Sequence, residues 1–511
     1  MNYLLGIDIG TSGTKTLLIN ADTGDVVASA IKTYDLSTPK PLWAEQNPQD
    51  WWQGTIDSVR EVLAESKIDA TNIKGIGLSG QMHGSVFLDE QNQVLRPAII
   101  WCDQRTQAEC DWIMDTVGRE KTVELISNPV LTGFTAGKII WLRNHEPQIY
   151  DRVKKVLLPK DYIRFCLTGE YATEVSDASG TALFNVTKRE WAYEMLDAID
   201  IPAQWMPKSY ESVEISGKIT AEAAKLTGLA EGTPVVGGGG DQAAGAVGNG
   251  VVEEGIISST VGTSGVVFAF ADKPAVDPKL RLHTFCHAVP GKWHVMGVML
   301  SAGGSLRWFR DTFADTETAI AKALGNDPYD LICREAAGVS AGSEGLIFLP
   351  YLTGERAPYP DPHARGVFFG ITLRSSRSHF MRAVLEGVAY GLRDSFGILD
   401  EMGVPITQVR ASGGGARSQV WRQIQADITG KDHVTINIDE GPALGAALLA
   451  GVGTGLFPTV AEACRSVIKI SGETKADLSA KKTYDGFYSV YQSLYHSLRG
   501  QFDEVARLTS E

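Results

Sequence analysis

The chain has few cysteines and no surplus of positive charge, and each shortage removes a class of function. Six cysteines in 511 residues (102, 110, 166, 286, 333 and 464) show no framework spacing. A disulfide scaffold is therefore excluded, and reduced thiols in a cytoplasmic protein are expected. Lys and Arg number 47 against 61 Asp and Glu, a net charge of −14. That balance argues against a nucleic-acid partner, though not against a small anionic ligand held by local glycines. A basic segment followed by an apolar run and a cleavage site is missing at the N-terminus, so export is not expected. No GxxxxGK[ST] occurs, so a nucleotide site of the P-loop kind is excluded. Residues 441–461 carry no charge over 21 positions, but they hold five glycines and two prolines. We read 442–450 as a short buried helix broken by the glycines of 451–455, with no membrane role.

What is present is a globular composition, 43% hydrophobic and 21% charged, over a length that allows two to four domains. The most informative stretch is 4–18, LLGIDIGTSGTKTLL. Apolar runs on both sides of Gly10-Thr11-Ser12-Gly13 predict a two-stranded hairpin whose tip can crowd backbone N–H groups around an anion. Lys15 adds positive charge there, and Asp8 at the mouth of the first strand is placed to face a phosphate-bound metal. An ordinary surface hairpin would have the same pattern. However, 257–269, ISSTVGTSGVVFA, repeats it, with Gly262-Thr263-Ser264-Gly265 lying 252 positions after the first tip. Self-similarity at half-length predicts two related domains, 1–250 and 251–511, each offering a phosphate-sized hairpin to a shared cleft.

Other segments carry candidate chemistry. Asp241 follows four glycines and opens a small-residue helix, which fits either an N-cap or a carboxylate beside an anion. A helix N-terminus lowers a carboxyl pKa, so Asp241 is not expected to be a pre-raised base. Phosphoryl transfer tolerates this, because a positioned carboxylate need only receive the hydroxyl proton. Gly413-Gly414-Gly415 follows a strand and would let a flat group such as adenine lie on bare backbone; a tight turn fits as well. Gln81-Met82-His83-Gly84 follows the strand 73–78 and can line a sugar pocket. Residues 101–105, with Trp101, Asp103 and Arg105, read as core edge or as sugar contacts. The GxGxxG of 75–80 lies inside strand-like sequence and opens no helix, so it is no dinucleotide fingerprint. His283, Cys286, His287 and His294 lie along a hairpin turned at Pro290-Gly291, where strand alternation divides them between faces, so no zinc site is read from them. A helix capped by Asp50 is expected over 50–65, and another over 378–401. A last one, over 484–508, would present Phe487, Val490, Leu494 and Leu498 as a packing stripe.

Taken together, DxGTS at 8–12, GTSG at 262–265, GGGDxxAG at 238–245 and SGGGA at 412–416 resemble the FGGY carbohydrate kinases over essentially the whole chain. The resemblance implies an α/β fold of two actin-like ATPase (ribonuclease H-like) domains flanking a catalytic cleft. It further implies ATP and Mg²⁺ as co-substrate and cofactor. Gly10, Thr11, Ser12, Lys15, Gly262, Thr263 and Gly413–Gly415 would bind the nucleotide. Asp8 would act on the metal directly or through water, and Asp241 would be the base. Segments 81–84, 101–105, 158–162 and 349–358 match the branch of the family that phosphorylates D-xylulose, implying sugar contacts from Gln81, Met82, His83, Trp101, Asp103 and Gln242. Lys15 stands where some members carry Arg, and Gln242 where some carry Asn. Kinases of ribulose, gluconate or a polyol are same-family rivals, and a non-enzymatic sugar- or ATP-sensing module is a rival of another class. Family members are often homodimers, which is expected here by analogy.

Overall fold

The apolar runs flanking each GTSG become the central strands of two sheets built to one plan. The structure, a computed structural model, describes residues 1–438 and 440–509. Tyr3–Ile9 runs antiparallel to Gly13–Asn20, which pairs with Val26–Thr33. On its other side Tyr3–Ile9 runs parallel to Ile73–Gly80, followed by Pro234–Val236 and the antiparallel edge Ile215–Lys218. In the second half Gly255–Val261 pairs with Gly265–Ala271, then Trp293–Met299, and on its other side with Ile406–Ser412, His433–Ile436 and the edge Ile470–Thr474. Two differences stand out: the edge strand precedes its partner in the first half and follows it in the second, and the second sheet adds His283–Cys286 beyond Trp293–Met299. Paired sheets of this order are the actin-like ATPase architecture.

The two GTSG tips share letters but not registers. In the first, Ile9 faces Thr14 and the Gly10 N–H donates to Gly13 O at 3.0 Å. In the second, Val261 faces Gly265 and the Gly262 N–H donates to Ser264 O at 3.0 Å, a turn one residue tighter. The charge pair is also one-sided. Asp8 and Lys15 are cross-strand partners in the first hairpin, so their side chains leave the same face.

Glycines decide how the halves join. Helix Gly441–Gly453 belongs to the second half but packs on Tyr3–Ile9 and Ile73–Gly80 of the first. A Cβ on Gly6 would sit 1.8 Å from Ala443 O, and one on Gly77 1.8 Å from Ala446 O. The glycines of 75–80 thus serve helix-on-sheet contact. Helix Asp241–Gly248 crosses the same helix equally closely: a Cβ on Gly445 would meet Ala244 O at 1.8 Å, and one on Gly248 would meet Gly441 O at 2.0 Å. A second core joins Phe134, Ile140 and Leu183 of the first half to Phe268, Phe285 and Met296 of the second.

Several element boundaries differ from expectation. The first helix runs Pro48–Ser66 and is capped by Asn47, whose side chain accepts from the Gln49 N–H; Asp50 only sits in its first turn. Helix Gly441–Gly453 continues through Gly451 and Gly453, because packing on Phe457 and Val213 leaves no room for side chains there. No helix among the described residues is long and apolar enough to cross a membrane. The final helix begins earlier, at Leu478, and its buried stripe is Tyr484, Tyr491, Leu494, Tyr495 and Phe502. Phe487 and Leu498 flank that stripe, whereas Val490 is exposed.

Candidate active site

Cross-strand pairing brings Asp8 and Lys15 to one end of the first sheet, and the Gly237–Gly240 turn brings Asp241 to meet them. A cavity of about 300 Å³ is lined by Asp8, Lys15, Asp241, Gln242, Ser412 and Gly413, with Glu440 and Thr260 on its walls. Its floor is the crossing of the two glycine-rich helices, and Lys15 is ion-paired with Glu440 across it. Beside it a cavity of about 320 Å³ is lined by Gly262, Thr263, Arg307, Tyr329, Gly414, Gly415 and Trp421. The turn over 412–415 forms a wall of both. Gly413 holds φ +77, and a Cβ there would lie 2.7 Å from Val261 O, so the triple glycine is needed for backbone-to-backbone approach.

Asp241 is the first residue of its helix. The N-cap is Gly240, and no side-chain cap bond is made, so the capping role does not apply. The expectation that its pKa is not raised is overturned too. Burial, then the neighbouring Asp8 carboxylate, pushes it up to about 7 against the lowering bonds from Gln242. Desolvation and a like charge outweigh the helix terminus here. Asp8 is pushed up to about 6 by burial, with Ser79 and Lys15 pulling it down. Its Oδ1 is buried and accepts no hydrogen bond. Two neighbouring carboxyls of raised pKa, one with an unpartnered buried oxygen, are a donor set that fits a hard divalent cation.

A buried polar network supports the Asp241 turn. Arg164 Nη1 donates to Val236 O at 2.6 Å and its Nη2 to Gly237 O at 2.6 Å. The Gly240 N–H donates to Ser176 Oγ at 3.1 Å, and Ser176 Oγ donates to Glu174 at 3.0 Å. Lys160 is buried among Asp161, Glu174 and Asp177. Segment 158–162, read from sequence as a family match, therefore underlies the turn. Arg164, Glu174 and Ser176 escaped the sequence reading, which had no signal to join them to Gly240.

The remaining sequence candidates separate by burial. Thr11 is held by its neighbours: Gln46 Nε2 donates to Thr11 O at 2.7 Å and Trp101 Nε1 to Thr11 Oγ1 at 2.9 Å. Gln81 is buried, its Nε2 donating to Gln46 Oε1 at 2.8 Å, so it braces the hairpin. Asp103 also has internal partners. It is fully buried, accepts from the Ala44 N–H at 2.6 Å and is ion-paired with Arg105 at 2.6 Å. Trp101 keeps part of its surface open while bonding Thr11. Ser12 is exposed at the tip. Met82 packs on Gly240, and its methyl and the His83 ring both lie against Gly180. His83 has φ +70, its Nδ1 lies 2.6 Å from Gly180 O, and Lys138 Nζ donates to its carbonyl at 2.8 Å. His287 uses both ring nitrogens on backbone, facing Val251 O at 3.0 Å and accepting from the Val289 N–H at 3.0 Å.

Two glycine-tipped hairpins, an aspartate pair and a glycine-walled pocket on an actin-like frame define a phosphotransferase class. Residues 3–248 match the family model described as "FGGY family of carbohydrate kinases, N-terminal domain", and residues 257–454 match its C-terminal domain. The chain belongs to the FGGY family of carbohydrate kinases. It is 44% identical to the xylulose kinase of Escherichia coli over 88% of this chain and 89% of that one. It is 38% identical to the xylulose kinase of Bacillus subtilis over 97% of both. The crystal structure of xylulose kinase from Rhodospirillum rubrum superposes with a TM-score of 0.89 at 30% identity, covering 98% of this chain and 100% of that one.

Proposed function

We propose that this kinase transfers the γ-phosphoryl group of ATP to the terminal hydroxyl of D-xylulose, giving D-xylulose 5-phosphate and ADP. The observation that carries the reading is the convergence of Asp8, Lys15 and Asp241 in one cavity that shares a wall with the Gly262–Gly415 pocket. The relatives named xylulose kinase supply the sugar.

Adenosine would lie on Gly414 and Gly415, with its phosphates between the two hairpin tips. The sugar would extend from His83 past Met82 to Asp241. Asp241 takes the proton of the O5 hydroxyl as that oxygen bonds to the γ-phosphorus and the bond to ADP breaks. A carboxyl near pKa 7 is matched to this task at neutral pH. Lys15 leaves Glu440 to meet phosphate charge, while the tip N–H groups hold phosphate oxygens. A Mg²⁺ ion, held through Asp8, would neutralise phosphate charge. Closing the cleft excludes water that would otherwise hydrolyse ATP. The reduced, unpatterned cysteines fit a cytoplasmic site of action.

A coupled assay of ADP release over D-xylulose, ribulose, gluconate, xylitol and glycerol tests the reading. D-xylulose is expected to give the highest kcat/KM. A higher value for another sugar overturns the substrate, and ATP hydrolysis indifferent to every sugar overturns the kinase.

A further inference from the structure

Arg356 belongs to the second half of the chain, yet its guanidinium reaches the first. Its Nη2 lies 3.9 Å from where a Cβ on Gly133 would sit, so a side chain at 133 would fill the space in front of it. The residue is largely withdrawn from solvent. Among the described residues its side chain makes no hydrogen bond and no ion pair. The adjacent Glu355 makes no ion pair with it; its Oε1 accepts from two backbone donors, the Leu300 N–H at 2.9 Å and the Arg356 N–H at 2.7 Å. A guanidinium that no protein group engages is free to take acceptors from a ligand.

Its neighbours sharpen what that ligand is. His83 and His283 both feel the Arg356 charge. Both rings pack on Phe134, at centroid distances of 4.7 and 5.8 Å. Burial, then the Arg356 charge, holds His283 down to about 3; burial, then Lys138 and to a lesser extent Arg356, holds His83 well below its usual value, so both stay neutral. His83 commits Nδ1–H to Gly180 O, leaving Nε2 as an acceptor, and His283 Nδ1 is buried without a partner. The site thus offers a fork of donors from Arg356 and one bare imidazole nitrogen, His83 Nε2. A carbonyl beside a hydroxyl satisfies both at once, with the carbonyl oxygen accepting from the guanidinium and the hydroxyl donating to imidazole. A carboxylate would meet the imidazole lone pair with no proton to share, and a polyol would bring no carbonyl.

We propose that Arg356, with His83 and His283, reads the hydroxyketone end of the open-chain sugar and sets the preference for ketose over polyol and sugar acid. This rests on the substrate reading above, and it assigns to the second half of the chain a contact with the sugar as well as with the nucleotide. Met82, touching both Gly240 and Gly180, spans from this end toward Asp241.

Binding of D-xylulose, xylitol and D-gluconate, measured calorimetrically without ATP on wild type, Arg356→Gln and Arg356→Lys, tests it. Wild type should favour D-xylulose. Arg356→Gln should lose about tenfold or more in D-xylulose affinity, the scale of a charge-assisted hydrogen bond, and bind xylitol as wild type does. Arg356→Lys, which keeps the charge but loses the fork, should fall between. An unchanged xylulose-to-xylitol ratio in Arg356→Gln overturns the inference, as does equal weakening of both. If Arg356→Gln does not fold, Arg356→Lys decides: wild-type discrimination in that variant overturns the fork geometry. Wild type preferring gluconate or xylitol would instead overturn the substrate reading and this inference with it.

Discussion

Replacing Asp241 by Asn should separate stability from turnover, because the same carboxylate is costly to bury and needed for chemistry. Its carboxyl rises from 3.8 to about 7, chiefly by burial. A folded-state pKa above the unfolded value means the charged form destabilises the fold. The penalty is absent below about pH 4, grows between there and pH 7, and is full above. Three pH units at 1.36 kcal/mol each give about 4 kcal/mol. Asp241 keeps a partial opening onto the cavity, so water lowers this to about 1–3 kcal/mol. At roughly 2–4 °C per kcal/mol for a unit of this size, Asp241→Asn should melt several degrees above wild type at pH 8 and level with it at pH 4. Its kcat should fall by about 10²–10⁴, the usual share of a general base, with ATP and sugar KM little changed. Calorimetric melts at the two pH values and coupled-assay kinetics read both arms. Retention of more than about a tenth of wild-type kcat would refute the base assignment, and an equal or lower melting point at pH 8 would refute the electrostatic account.

Other expectations follow from the same geometry. The kcat/KM for sugar should drop below pH 7, with a slope steeper than one as Asp8, near 6, titrates as well; a flat profile from pH 8 to 5 counts against the pair. Ser176→Ala frees the Gly240 N–H and should lower kcat several-fold while leaving both KM values, whereas a change in KM alone would place Ser176 elsewhere. His83→Ala should raise KM for sugar more than for ATP, and an equal rise would remove His83 from the sugar pocket. Gly77→Ala puts a Cβ 1.8 Å from Ala446 O, so a loss at or beyond the upper end of about 1–3 kcal/mol is expected in chemical denaturation; wild-type stability would mean that the helix can withdraw.

The hairpins were legible because alternation and glycine are local signals. The long helices were legible for the same reason, though their ends were not: the cap read at Asp50 lies at Asn47, three residues earlier. Asp103 and Gln81 show a choice that sequence alone leaves open. A polar residue beside a strand looks alike in sequence whether it faces a ligand or satisfies Ala44 and Gln46 internally. The pKa of Asp241 was out of reach as well, because its burial and the like charge of Asp8, distant in the chain, arise only in the fold. The second GTSG showed that repetition of letters does not carry over the turn register.

The glycine-lined helix Gly441–Gly453, seated on strands made from the first eighty residues, has a consequence for biosynthesis. A ribosome releases Tyr3–Ile9 and Ile73–Gly80 long before it reaches the segment that covers their apolar face. Until then Leu4, Leu17 and Ile19 have no lid, so the leading part of the nascent chain waits, sticky, for its trailing part. A fragment cut at the midpoint should for that reason be a chaperone client or an aggregate, never half an enzyme.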